Sequence, residues 1–564
     1  MPDSLPASST EHSREEERPA PWRDEVLNQS APPLRHAFVD DLPLREALRC
    51  HAPGLSADLL TRLADLGAQV GTLETRAMGF AVNAHPPVLH THDPQGRRRD
   101  DVEYHPDYHR LMRIALEGGW HSVAWEAEGC GGHQAHVAAL YLLTQAEPGF
   151  CCPITMTHAA WPALRQDESL AAFWGPRLRA RSHDPRTCAP RDKHCATFGM
   201  AMTERQGGSD VRSNLTQAHA EGEGYRLNGH KWFMSAPMSD AFLTLAQLEE
   251  GLTCFVVPRR REDGSHNGLQ LQRLKDKCGN RANASGEVRL VDARGQRLGE
   301  PGRGITTILE MVHQTRLDAA TAPVALMRQA LVEALHHCQQ RHAFGKPLAR
   351  QPLMQQVLAD IALEVEAGIA LCLRIARQFD DATREPDARP LARLAPAIAK
   401  YWHNRRAPAL LAEAMECLGG NGYIEEHLTA RLYREAPVNA IWEGSGNVLC
   451  LDVLRTLARH PDAGEALLSE LRDARGQSPR YDAALATFER GNLLHHAEEA
   501  RARQLVQSLA VLWQAALLIR HAPADVAEAF CATRLAGTDI PGATGVHGLP
   551  PGMSPRHLLA RVLP

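Results

Sequence analysis

Apolar residues recur at helical spacing through the first third of the chain. Leu59, Leu60, Leu63 and Leu66 fall on one stripe, and the run from Gln134 to Leu143 repeats it. This predicts a helical domain over 22–195, broken at the Gly129-Cys130-Gly131-Gly132 turn and in Pro-rich 183–191. From about residue 196 the period shortens. Tyr225-Arg226-Leu227, Ala241 to Ala246, Thr253 to Val257, Leu269-Gln270-Leu271 and Glu287 to Val291 are short runs bounded by Gly, Asn, Asp and Pro. They predict antiparallel strands in a small β-barrel or sandwich over 196–300. Helical spacing returns at Gly304. Ile305 to Gln340, Pro352 to Asp380, Leu391 to Leu418 and Val448 to Leu457 have the lengths of a four-helix bundle over 301–458. Residues 459–535 continue as helices parted by Gly476 and Gly491, so 459–564 forms a C-terminal helical domain whose Gly- and Pro-rich end, 537–555, is expected to be irregular. Residues 1–21 have almost nothing to bury and read as a disordered tail. The fold class is mainly α with a central β-domain.

Composition changes this picture little. The 564 residues suit three to four domains, and a net charge of −5 gives no electrostatic case for nucleic acid over the whole molecule. Lysine occurs only at 193, 231, 275, 277, 346 and 400, an imbalance that reads as genomic base composition without functional weight. The thirteen cysteines contain no C-x-x-C. Cys188, His194 and Cys195 come nearest to a metal cluster but lack tetrahedral spacing, so no metal is expected. No apolar run reaches about 18 residues and the N-terminus has no signal-peptide core, so the expectation is a cytoplasmic protein with no membrane partner.

Candidate chemistry centres on Ile441-Trp442-Glu443-Gly444-Ser445-Gly446-Asn447, just before a predicted helix. The glycines let backbone approach a ligand, free N–H groups at the helix start face an anion, and Glu443 is the one ionisable group available as a general base. The plainer alternative is a capped helix start with a solvated Glu. Four other stretches stand out: Gly199 to Asp210 with adjacent Gly207 and Gly208, Gly229 to Ser235 with its aromatic pair, Arg341 to Leu348, and Leu418-Gly419-Gly420-Asn421-Gly422-Tyr423. Each taken alone reads as a turn, a half-buried strand or a helix stop. Arg341 would either clamp a pyrophosphate or cap its helix.

Together and in this order, the motifs resemble the acyl-CoA dehydrogenase superfamily over roughly residues 100 to 460. Within it the chain looks most like the alkylation-response branch, which adds a C-terminal helical domain. Met-Thr-Glu-Arg-Gln-Gly-Gly-Ser-Asp (202–210), His-Lys-Trp-Phe (230–233), Asp-Lys-Cys-Gly-Asn-Arg (276–281) and Arg-Leu-Tyr-Arg-Glu-Ala-Pro-Val-Asn (431–439) carry that likeness. The resemblance implies an FAD site. Met200, Met202, Thr203 and Ser209 would hold the isoalloxazine and the chain beyond it, with Gly208 in the same loop. Phe233 and Ser235, with Met234 between them, would cover its other edge. Arg341 and Phe344 match positions that reach the pyrophosphate of a neighbouring subunit's FAD. Gly419 and Gly420 would approach that pyrophosphate, and Ile441, Trp442, Gly444, Ser445 and Asn447 would complete the pocket. A shared site implies an oligomer, typically a tetramer in this family. Glu443 matches the catalytic base that takes the α-proton of an acyl thioester. His313 stands where many relatives carry an acidic residue that helps bind the CoA nucleotide, which puts ordinary acyl-CoA binding in doubt.

In that branch the added domain is associated with double-stranded DNA. Residues 452–564 hold twelve Arg and twelve acidic residues, so binding would need a cluster. Arg455 and Arg459 share a helix face by i, i+4 spacing, and Arg501, Arg503, Arg520 and Arg534 are candidates to extend it. Three readings follow. The first is an FAD-binding, DNA-associated flavoprotein of the alkylation-damage response with weak or vestigial dehydrogenase activity. The second is a true dehydrogenase of a branched or unusual acyl-CoA. The third is a flavoprotein whose C-terminal domain only assembles a tetramer.

Overall fold

The computed structural model describes residues 28–491, 494, 498–535, 548–550 and 552–563. The 1–21 tail therefore lies outside the described residues. The N-terminal domain begins with three helices, each started by a short polar side chain that accepts an N–H of the first turn. Asp41 caps Leu42–His51, Ser56 caps Ala57–Val70 and Thr72 caps Leu73–Ala84. The helix Gly132–Ala146 is buried along its whole length and forms the domain's centre. The domain is not wholly helical. Val88–His92 and Arg98–Glu103 form an antiparallel hairpin, because Asp93 Oδ1 takes the N–H groups of Gln95 and Arg97 and closes the turn. The hairpin docks on the β-domain, where Arg98 donates to the Leu271 carbonyl at 2.6 Å.

The predicted strands are all present and close into a barrel. Ala241–Leu248 pairs with Gln217–Glu221 on one side and Gly251–Pro258 on the other. Gly224–Ser235, Ser285–Leu298 and Leu269–Leu274 complete the wall, and Phe198–Ala201 enters parallel to Ala241–Leu248. Inside lies a fully buried ion pair. Lys231 Nζ reaches Glu204 Oε1 at 2.7 Å and the Leu245 carbonyl at 2.8 Å. Burial raises the Glu204 carboxyl, but Lys231 and its hydrogen bonds outweigh that and bring it down to about 2.

The bundle helices run Gly304–Gln340, Pro352–Arg384, Arg389–Cys417 and Gly446–Arg459, joined by a helix over Leu428–Asn439 that periodicity alone did not separate. The C-terminal helices Pro461–Arg472, Pro479–Arg490, Ala502–His521 and Ala524–Arg534 pack on the bundle. The stretch Glu499–His521 is long and apolar enough to cross a membrane, but 78% of its most apolar window is buried within the fold, as a core helix. The chain end is not irregular throughout, since Arg556–Ala560 is helical. Residues 536–547, most of the stretch expected to be irregular, lie outside the described residues.

Buried charges bolt these parts together. Arg534 donates to Asp360 Oδ1 at 2.6 Å and Glu364 Oε2 at 3.3 Å, and Arg406 reaches Glu364 at 3.2 Å. Two guanidiniums thus answer two carboxylates in a space closed to water. Arg374 from the bundle grips both oxygens of Glu470, and Arg561 grips Glu366.

Removing one partner of a buried pair strands the other's charge. Lys231→Met should therefore destabilise the protein by about 3–5 kcal/mol in chemical denaturation. The stability held by Glu204 ionisation is present above its ordinary 4.5 and should be lost as pH falls from there towards about 2.

Candidate functional site

Glu443 closes the turn between Leu428–Asn439 and the helix Gly446–Arg459. Its φ is +58° and that of Gly444 is +96°, so a non-glycine residue holds a left-handed conformation that costs about 1–3 kcal/mol. Three contacts keep it there. Thr315 Oγ1 donates to Glu443 Oε2 at 2.7 Å, Arg316 Nε donates to the Glu443 carbonyl at 3.3 Å, and Lys400 Nζ donates to the Gly444 carbonyl at 2.8 Å. Arg316 is itself held by Asp452 at 2.6 Å. Glu443 is thus half-buried and engaged by its neighbours, unlike a freely solvated Glu. Burial lifts the Glu443 carboxyl above its ordinary range, opposed by the Thr315 bond and by the Lys400 and Arg316 charges. Burial brings Lys400 down to about 7, against the pull of Glu443. A half-buried carboxylate whose proton affinity is raised suits a general base.

The first group of predicted cofactor residues gathers around it. Met200, Met202 and Trp442 are half-buried against one core cluster, and the Cys152 thiol of that cluster lies beside Ser235 and feels the Glu443 charge. Thr203 fills the space that a side chain at position 208 would need, which is why Gly208 is there. Ser209 is exposed, and Phe233 stands out from its strand, 48% exposed. Met234 does not belong with them. It points into the barrel core with Ala201 and Phe242, because strand alternation sends Phe233 and Ser235 to one face and Met234 to the other. Ile441 is exposed. Ser445 starts the final bundle helix without a side-chain cap, leaving its first N–H groups free of such a bond. Asn447 is drawn towards the C-terminal domain by Arg503 Nε, 2.8 Å from its Oδ1.

The second group lies elsewhere. Arg341, Phe344, Gly419 and Gly420 meet through the segment Asn28–Gln29, which bonds Arg341, His342 and Asn421. Phe344 is 96% exposed at a hairpin tip, and nothing stands within 4 Å of where a side chain at 419 or 420 would begin. Arg341 follows the helix Gly304–Gln340 that also carries Thr315, so at 1.5 Å per residue the two groups sit about 39 Å apart in one chain. One chain cannot wrap both around a single dinucleotide. The Arg341 guanidinium here donates to the Asn28 carbonyl.

Other expectations need correction. His313 is stacked on Phe379 at 4.8 Å, and burial takes it down to about 3. Arg534 is 2% exposed in its ion-paired cluster and cannot meet DNA. Arg520 faces Asp473 at 3.3 Å, Arg501 bonds Gln504 and Arg503 bonds Asn447, while Arg455, 3.7 Å from Asp452, and Arg459 stand exposed on one helix. Among the described residues, one group has metal-like spacing: His136, His158 and Asp318. The His136 and His158 rings are stacked 3.7 Å apart at 14°, and an ion cannot lie in two parallel ring planes at once. His136 instead pairs with Asp318 at 3.1 Å while bonding the Trp120 carbonyl at 2.7 Å.

Sequence reasoning missed Thr315, Arg316, Lys400 and Cys152. The scarcity of lysine was a usable signal: in an arginine-rich chain, Lys193, Lys231 and Lys400 are buried where a compact cation fits.

Residues 28–185 match the family of the adaptive response protein AidB N-terminal domain, 199–293 the acyl-CoA dehydrogenase middle domain and 302–458 the acyl-CoA dehydrogenase C-terminal domain. The chain is 43% identical to AidB of Escherichia coli (strain K12) over 522 residues, covering 91% of this chain and 95% of that protein. It superposes on the crystal structure of Caenorhabditis elegans ACDH-11 in complex with C11-CoA with a TM-score of 0.80 at 28% identity, covering 91% and 94% of the two chains. A Bacillus anthracis acyl-CoA dehydrogenase complexed with FAD shares the fold, with a TM-score of 0.65 at 19% identity and coverage of 85% and 86%.

Thr315→Val removes the bond that favours the charged form of Glu443. Its carboxyl should titrate at higher pH than in the parent, read from the carboxyl band by infrared difference titration. An unchanged midpoint would show that this hydrogen bond does not set the ionisation.

Proposed function

The chain belongs to the acyl-CoA dehydrogenase family, on the branch with the AidB N-terminal domain, and from that premise we propose that it is an FAD-binding flavoprotein that dehydrogenates an acyl thioester. The observation that carries the reading is the half-buried Glu443 carboxylate, held in a left-handed turn by Thr315, Arg316 and Lys400. The residues fit the cofactor: an outward Phe233, a Ser235 hydroxyl, the Gly208 loop and uncovered Gly419 and Gly420. Bound FAD would supply the oxidant, accepting the two electrons of the substrate's Cβ–H bond.

The chain's own work is proton transfer and exclusion of water. Glu443 Oε1 is not the oxygen bonded by Thr315, which leaves it to take the α-proton. Thr315 steadies the carboxylate before transfer, and burial makes it a stronger base than a solvated Glu. Lys400 holds the Gly444 carbonyl, so the turn keeps its shape as the charge changes. Activity towards ordinary acyl-CoA is proposed to be low, because an imidazole packed on Phe379 stands where many relatives carry an acidic residue.

The separation of about 39 Å between the two groups supports an oligomer, proposed as a tetramer, in which the Phe344 hairpin of one copy completes the site of another. Association with double-stranded DNA in the alkylation response is proposed through Arg455 and Arg459. It is supported by the likeness to an adaptive response protein and by the exposure of these two side chains on one helix.

The purified protein should hold about one FAD per subunit. Glu443→Gln should keep the flavin spectrum and abolish its anaerobic bleaching by acyl-CoA; a colourless protein that takes up no added FAD would sink the reading.

Duplex binding should be independent of sequence and weaken with salt. Arg455→Ala with Arg459→Ala should flatten the log–log salt slope by about 0.9 for each phosphate no longer neutralised, with FAD unaffected. Unchanged binding at every salt concentration would place the DNA face elsewhere.

A further inference from the structure

Two ionisable groups meet inside the fold, one helical turn from the side chain that bonds Glu443. His136, 1% exposed on the helix Gly132–Ala146, faces Asp318, 3% exposed on Gly304–Gln340. His136 Nε2 lies 3.1 Å from both carboxylate oxygens, and Nδ1 lies 2.7 Å from the Trp120 carbonyl. A carbonyl only accepts, so Nδ1 carries a proton, and Nε2 approaches a carboxylate this closely only with a second proton between them. The pair holds that proton as a unit and is neutral overall, which is how two such groups tolerate burial. Among the described residues no other donor reaches Asp318.

Ring stacking fixes the plane of the imidazole. His158 lies against it at 3.7 Å, and Trp125 lies against His158 at 4.9 Å while its Nε1 donates to the His158 carbonyl at 3.0 Å. The other titratable groups around His136 are His121, His133 and His158, with Asp380 at the start of its helix. Burial takes His121 to about 4 and His133 to about 3, and lowers His158 as well, so all three are neutral at pH 7. Asp380 is spent on the N–H groups of Gly129 and His133. Burial opposes a charge on His136 too, but Asp318 and the hydrogen bonds outweigh it and raise its hold on the proton.

Asp318 lies one turn beyond Thr315 on the same helix face, because residues three apart are neighbours there. Thr315 Oγ1 donates to Glu443 Oε2 at 2.7 Å, and Arg316 donates to the Glu443 carbonyl at 3.3 Å. Whatever anchors Asp318 anchors this turn. Once the pair gives up its proton, a neutral imidazole turns a lone pair towards a bare carboxylate, and the turn carrying Thr315 is pushed away.

Resting on the dehydrogenase reading above, we propose that His136 and Asp318 are positioning residues for the base, their shared proton holding Thr315 against Glu443 and its loss at alkaline pH releasing it. The anchoring is fully present below the ordinary histidine value of 6.5 and is lost as pH rises through the higher value held in the fold.

The test follows anaerobic bleaching of the full-length, FAD-loaded protein by saturating butanoyl-CoA or undecanoyl-CoA across pH, alongside infrared difference titration of the Glu443 carboxyl. In the parent the bleaching rate is expected to fall at alkaline pH, roughly tenfold per pH unit once the proton is lost. Asp318→Asn keeps the bridge without that proton, since a neutral His136 accepts from the amide while still donating to the Trp120 carbonyl. It should bleach at the parent's neutral-pH rate and lose the alkaline fall. Asp318→Leu removes the bridge without stranding a charge. At neutral pH it should bleach roughly tenfold more slowly with thioester affinity and FAD content unchanged, and its Glu443 midpoint should rise as in Thr315→Val. A parent rate that does not fall at alkaline pH overturns the proposal. So does a fall that persists in Asp318→Asn, which then belongs to another group such as Lys400, or an Asp318→Leu variant that behaves like the parent. Should Asp318→Leu fail to fold, Asp318→Asn decides alone. If neither thioester bleaches the parent, the dehydrogenase reading falls, and the Glu443 midpoint, which needs no substrate, still decides the positioning.

Discussion

Everything at the site depends on one constraint: a glutamate held in a left-handed turn with its side chain half-buried. Such a turn does not persist unaided. Its strain and the desolvation of the carboxylate are offset by three donors from two different helices, Thr315 and Arg316 on Gly304–Gln340 and Lys400 on Arg389–Cys417. The bundle is thus more than a scaffold. It supplies the counter-charges around the half-buried Glu443, a single ammonium and a guanidinium already engaged by Asp452.

The same economy of charge explains why the C-terminal helices are part of the fold and not an appendage. Asp360 and Glu364 face the C-terminal domain from inside the bundle, and Arg534 answers them from the other side. Arg503 reaches back to Asn447 at the start of the helix behind Glu443. Cutting the chain after that helix would leave two buried carboxylates with Arg406 as their one remaining guanidinium and release a residue of the Glu443 loop. A surface role for the domain falls to its arginines other than the buried Arg534 and Arg561.

The distribution of predicted cofactor residues over two distant regions is the second organising fact. Around Glu443 they converge through Cys152 and the Met200–Trp442 cluster; around Phe344 they stand exposed and tied by Asn28 and Gln29. An aromatic side chain 96% exposed on a short hairpin is a poor resting state for an isolated chain, and the second copy proposed above would cover it.

The sequence by itself determined the order of domains. Strands were legible as short apolar runs between turn residues, and the bundle helices as long stretches at helical spacing, because backbone periodicity is local. The Glu443 loop was legible too, since its glycines and single carboxylate are adjacent in the chain. What it could not decide is which distant side chains share a space. Arg534 looked like a surface cation and lies in the core, and Met234 looked like its neighbours Phe233 and Ser235 and faces the other way. Thr315 and Lys400 lie 128 and 43 residues from Glu443 and acquire their roles only when three helices pack. Charge pairing and burial are properties of three-dimensional neighbours, so only the tertiary structure assigned them.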